Sequence, residues 1–167
     1  MNTLAQQQPR GLQWSALIIS IAITLAIGFT ASYFTRPEIP GWYAGLQKPS
    51  FSPPNWLFGP VWTMLYIFIG IAAYLVWQRR DGSTAYSNAR KIYIAQLALN
   101  FSWSIVFFGL HQMLGAFVVI ILLLISIIGC MVYFSHFSKT AALLLIPYLL
   151  WVSFASVLNF SIYLLNK

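Results

Sequence analysis

Five long apolar runs alternate with short polar stretches along the chain, at about 14–34, 56–77, 92–110, 114–134 and 140–165. Each can cross a hydrocarbon core of about 30 Å as a helix of about 20 residues. None contains Asp, Glu, Lys or Arg, each of which costs roughly 2.5–3.5 kcal/mol at the centre of a membrane helix. The pattern predicts an all-α integral membrane domain spanning 1–167, a bundle of five transmembrane helices. Short links force antiparallel neighbours, with a dozen or so residues expected between the second and third spans. The longest connection, 35–55, is expected to act as a lid. It runs into the second span through Gly41 to Tyr66, GWYAGLQKPSFSPPNWLFGPVWTMLY, where Pro53 and Pro54 bar regular helix. Trp42, Tyr43, Phe51, Trp56, Phe58, Trp62 and Tyr66 crowd that stretch with rings, so it has an apolar surface to cover.

Composition agrees with this pattern: 60% of residues are hydrophobic and 7% charged, far from a soluble domain. The net charge of +7 does not mark a nucleic-acid binder, because every basic residue lies between or beyond the runs. Arg10, Arg79, Arg80, Arg90, Lys91 and Lys139 fall on one face and Arg36, Lys48 and Lys167 on the other. This bias predicts a cytoplasmic N-terminus in a bacterial inner membrane, with contacts to anionic lipid. The first run has no small-residue cleavage pattern and reads as a retained helix. A single cysteine, Cys130 in mid-run, excludes an internal disulfide.

Within the spans, spacing sorts residues onto faces. Ala16, Ser20, Thr24, Gly28 and Ser32 recur every fourth position and share a face suited to close helix contact, a dimer seam or a cavity wall. Gln96, Asn100, Trp103 and Phe107 form one stripe of the third span. Their amides either bridge helices or present donors to a guest molecule. Tyr148, Trp151, Ala155 and Asn159 repeat the design in the fifth, with Pro147 at its start and Ala155 leaving space between a ring and an amide.

Conventional catalysis lacks its parts. The only acids, Glu38 and Asp81, lie in loops on opposite faces, so no carboxylate pair can act within the membrane. His111 and His136 are also on opposite faces, which rules out a shared metal or a haem held between them. The sequence calls for no cofactor.

WYAGLQKPSFSPPNWLFGPVWTMLY from Trp42, QLALNFSWSIVFFG from Gln96 and PYLLWVSFASVLNF from Pro147 together resemble the TspO family, the tryptophan-rich sensory and translocator proteins. The resemblance covers about 12–166. It implies a five-helix bundle, commonly a homodimer, with a cavity roofed by the first loop. It also implies ligands that are flat and apolar: tetrapyrroles such as protoporphyrin IX, sterols in some members, and an isoquinoline carboxamide. By the same resemblance Trp56 and Trp151 are the rings tied to binding and light-dependent breakdown of protoporphyrin, and Ala155 is tied to ligand and sterol sensitivity. Asn100, Trp103, Phe107 and Leu158 match wall positions. Trp42, Pro49, Trp62, Tyr66 and Tyr148 complete the expected ligand contacts, with Lys48 expected near the porphyrin propionates. The alternative function is transport or translocation of porphyrins, sterols or other lipids. Gly115 stands where the mitochondrial form carries a tryptophan, which is expected to open that wall.

Overall fold

The computed structural model describes residues 11–167, so Arg10 lies outside the described residues. Five helical segments are long and apolar enough to cross a membrane: Trp14–Glu38, Asn55–Gln78, Thr84–Gly109, Met113–Phe137 and Lys139–Leu165. No strand occurs among the described residues. The first segment is α1 (Trp14–Thr35) with a 3-10 turn at Arg36–Glu38. A one-turn helix α2 (Trp42–Gly45) sits in the loop before α3 (Asn55–Gln78). The third segment joins α4 (Thr84–Ser104) to a wide π turn at Ile105–Gly109, and α5 (Met113–Phe137) follows. The last segment is divided into α6 (Lys139–Leu144) and α7 (Ile146–Leu165).

Polarity is distributed as a membrane demands. Thr24, Gln96, Asn100 and Asn159 are buried inside, while Ile18, Ile23, Val118, Ile125, Val132 and Leu150 are exposed outside. Around the bundle, α1 packs on α3 and α4, α4 on α5, and α5 on α6 and α7, which return to α3. Leu65, Ile69, Leu123, Ile127 and Val152 fill the centre.

Two boundaries differ from the sequence pattern. The third span begins at Thr84 rather than near 92, because a capped helix can start in water ahead of its apolar run. The Ser83 hydroxyl accepts the Tyr86 N–H at 3.1 Å, a standard N-cap. Gly82 turns the chain with φ +73°, and the Asp81 carboxylate accepts the Ser83 N–H at 2.9 Å. These contacts from Ser83, its hydroxyl first, hold the Asp81 carboxyl below the usual carboxylate range. The connection therefore shortens to 79–83, and Arg90 and Lys91 ride on the helix. The fifth span breaks at Leu145, since Pro147 has no N–H for the carbonyl four residues back and its ring crowds that carbonyl.

The small-residue stripe of α1 is taken up inside the molecule. Ser20 Oγ donates to the Gly70 carbonyl and Thr24 Oγ1 to the Tyr66 carbonyl, both at 2.7 Å. A Cβ at Gly70 would stand 2.7 Å from Ile21 Cα, and one at Gly28 2.2 Å from the Tyr66 ring. Such close approach with interhelical hydrogen bonds is how membrane helices associate, since lipid is as apolar as their side chains. Gly115 does not open a cavity wall: a Cβ there would meet Val106 at 3.3 Å, and the residue lies away from the cavity.

Gly70→Ala is expected to force α1 from α3 and cost about 1–3 kcal/mol, the range for overpacking. Gly59→Ala, whose Cβ meets nothing within 4 Å, is expected to be neutral or stabilising. Thermal unfolding in detergent compares the pair; equal melting temperatures would refute the α1–α3 seam.

Candidate functional site

The end of α4 departs from regular helix where the site begins. Leu110 N–H bonds back to the Ile105 carbonyl at 2.9 Å and Gln112 N–H to that of Val106 at 3.0 Å, the wide turn of a π-bulge. Consecutive rings at Phe107 and Phe108 are both buried there, 4.9 Å apart. His111 then takes φ +55°, uncommon for a residue with a Cβ, and reverses the chain into α5.

A chain of hydrogen bonds crosses the bundle below these rings. Tyr66 donates its hydroxyl to Asn100 Oδ1 at 2.5 Å, Asn100 Nδ2 donates to Tyr148 Oη at 3.0 Å, and Tyr148 donates to Gln96 Oε1 at 3.0 Å. Higher on the same stripe Trp103 Nε1 donates to Asn159 Oδ1 at 3.0 Å, and Asn159 Nδ2 to the Met113 carbonyl at 2.9 Å. The amides of α4 and α7 thus bridge helices.

Above Tyr66 and Asn100 lies a cavity of about 570 Å³, within the usual span of small-molecule sites. Trp62, Tyr66, Trp103, Phe107, Phe108 and Phe58 give it aromatic walls, with Ala155 and Leu158 from α7 opposite α1. Its exposed lining is confined to α1 and α3 with the turn after α1: Phe29 is 73% and Trp56 71% exposed, and Arg36, Asn55, Gly59 and Thr63 are also exposed. The cavity is therefore open along the α1–α3 edge. Its inner end is blind, since the gap beyond, among Gln96, Cys130 and Tyr148, has no room for a water.

The first loop is tethered over one end. His111 Nε2 meets Glu38 Oε2 at 2.9 Å, and the Trp42 ring stacks on His111 at 4.1 Å. Gln47 N–H donates to Asn166 Oδ1 at 2.9 Å, and Asn166 Nδ2 returns to the Gln47 carbonyl at 2.8 Å. Tyr43 is the loop ring that fronts the cavity, and its burial pushes the phenol pKa above the ordinary value.

Of the expected contacts, Trp56, Trp62, Tyr66, Asn100, Trp103, Phe107, Ala155 and Leu158 come together on the lining. The others stand behind it. Trp42 packs on the outer side of Phe107 at 5.4 Å, and Tyr148 is buried in the hydrogen-bonded floor. Pro49 accepts the Ser52 N–H at 3.0 Å in a turn. Lys48 Nζ donates to the Leu46 carbonyl at 3.2 Å and sits 4.6 Å from the Tyr43 ring centroid, so it does not reach the cavity. Trp151 packs 5.7 Å from Phe58, which holds the wall position in its place, and its buried Nε1 has no acceptor among the described residues. Trp56 and Trp151 are thus not adjacent rings on the lining.

The lining also contains residues that were not among the expected ligand contacts, chiefly Arg36, Tyr43, Phe58 and Phe108. Arg36 had a signal. It extends the α1 stripe by one more step of four beyond Gly28 and Ser32.

The model of the TspO/MBR family matches residues 20–165. The chain is 53% identical over 150 residues to the tryptophan-rich protein TspO of Archaeoglobus fulgidus, covering 90% of this chain and 96% of that one. It is 42% identical over 136 residues to the translocator protein of Homo sapiens, covering 81% and 80%. The tryptophan-rich sensory protein of Cereibacter sphaeroides is 34% identical over 155 residues, covering 93% and 94%.

Asn100→Leu is expected to lower stability by about 1–3 kcal/mol, because the buried Tyr66 and Tyr148 hydroxyls each lose a hydrogen-bond partner. Adding Tyr66→Phe is expected to recover part of the loss by removing one stranded hydroxyl. A chemical or thermal unfolding series measures both; additive losses would show that the two residues are not coupled.

Proposed function

The chain belongs to the TspO/MBR family, and we propose that it is a membrane tetrapyrrole-binding sensor or regulator whose ligand occupies the ring-lined cavity. The observation that carries this reading is a blind aromatic cavity of about 570 Å³, whose exposed lining among the described residues belongs to α1, α3 and the turn after α1. A porphyrin is a wide aromatic plate with two propionates at one edge. Rings contact such a plate at offset-stacked or edge-on geometry, and the acids seek cations and water.

Light-dependent breakdown of the bound porphyrin is the finer part of the proposal. Trp56, on the exposed lining, is the ring placed to meet the excited plate directly, whereas Trp151 meets it only through Phe58. Transport is the second reading, favoured by the open edge toward the bilayer. The blind floor favours binding over passage, because no continuous path leads through Tyr66 and Asn100. We place the chain in a bacterial inner membrane with a cytoplasmic N-terminus as part of the same proposal, a reading supported by Arg79, Arg80, Arg90, Lys91 and Lys139 on one face against Arg36, Lys48 and Lys167 on the other. A homodimer would use a surface other than Ser20, Thr24 and Gly28, which are already packed on α3.

Protoporphyrin IX is expected to bind the purified protein saturably, as read by tryptophan fluorescence and porphyrin absorbance. Ala155→Phe grows a ring into the cavity and is expected to weaken binding at least about tenfold, or about 1.4 kcal/mol, with little change in melting temperature. Wild-type affinity in that variant would place the ligand elsewhere. On illumination, Trp56→Phe is expected to leave binding in place and slow the loss of porphyrin absorbance; an unchanged rate would remove Trp56 from the photochemistry. Flux of porphyrin across liposomes, absent from empty vesicles, would favour transport.

A further inference from the structure

Resting on that reading of the cavity, we infer that Arg36 is its anion anchor: the site takes a flat apolar molecule with a carboxylate at one edge, oriented with the acid at the rim and the plate inward. Arg36 lines the exposed end of the cavity, and its guanidinium makes no hydrogen bond or ion pair among the described residues. The charge count on this face explains why. Glu38 is the one acid there, and it is held by His111 at 2.9 Å.

The amides at the inner end cannot replace it. Asn100 and Asn159 face the interior, but both amides already bridge helices through Tyr66, Tyr148, Trp103 and Met113. The deep cavity therefore behaves as an apolar space, in which an ionised acid would lose its hydration without compensation. Lys48, the nearby alternative, turns its ammonium to the Leu46 carbonyl and the Tyr43 ring. A guanidinium presents a planar fork matched to a carboxylate, and at an exposed rim it can meet the acid while water still reaches both.

The test compares protoporphyrin IX with its dimethyl ester, which keeps the plate and removes both charges, using protein in phosphatidylcholine nanodiscs. Wild type is expected to bind the free acid more tightly than the diester. Arg36→Gln is expected to weaken the acid by on the order of tenfold, the scale of one charge-assisted hydrogen bond, and to leave the diester unchanged. Raising ionic strength is expected to shrink the wild-type preference, and Lys48→Gln to leave it intact. If wild type binds but Arg36→Gln alters both probes equally or neither, the anchor is refuted while the cavity stands. A loss of preference in Lys48→Gln alone would transfer the role to Lys48 and refute Arg36. Wild type that binds neither probe overturns the tetrapyrrole reading itself.

Discussion

Tyr66 is the point on which the cavity depends, because one residue joins three helices by three different means. Its carbonyl accepts the Thr24 hydroxyl of α1, its ring occupies the space that a side chain at Gly28 would need, and its hydroxyl donates to Asn100 of α4. Asn100 passes the connection to Tyr148 of α7. Inside a membrane these contacts have no competing water, and apolar packing against a neighbour gains little over packing against lipid. Small residues and hydrogen bonds therefore determine where helices meet. They also determine where helices do not.

On one side of Tyr66, α1 and α3 are joined by Ser20 to Gly70 and by Gln13 N–H to the Tyr74 hydroxyl. On the other side, no hydrogen bond links the two helices among the described residues, and exposed Phe29 and Trp56 flank an open edge. The loop covers the end of the bundle without closing that edge, since Glu38, Trp42 and Gln47 fasten it to His111 and Asn166. The tethers favour entry of an apolar guest from the side, through the bilayer, over lifting the loop. They also account for Trp42, an aromatic residue of the loop that packs on the back of Phe107 and fastens the cover.

Much of this architecture was legible because membrane helices write their contacts in steps of four. The α1 stripe and the Gln96, Asn100, Trp103 and Phe107 stripe both fall on interior faces, and the apolar runs locate all five spans. Boundaries were less legible. The start of α4 depends on the Ser83 cap, not on hydropathy, and the break before α7 shows how a proline divides an unbroken apolar run. Trp151 shows a different limit. Its spacing from Ala155 places both on one face of α7, but whether its ring reaches the cavity is decided by Phe58 from α3, a tertiary fact that no single-helix pattern contains. Arg36 was hidden for a simpler reason: Pro37 marks a loop, so the arginine reads as a topology charge even though it continues the α1 face.

The shape of the cavity and the positions of its polar groups both support the proposed reading. The interior amides are committed to neighbouring helices, and Arg36 stands at the rim. That polarity matches capture of an amphiphilic plate, with the deep end supplying ring contact and the exposed end supplying charge. The site is also asymmetric along the bundle, blind at Tyr66, covered by the loop at its other end and open at the side along the α1–α3 edge. A transporter needs an exit, and for this bundle an exit would require breaking the bonds from Tyr66 through Asn100 to Tyr148 that hold α3, α4 and α7 together. Binding needs no such rupture, so under the proposed reading a ligand would leave by the edge at which it entered.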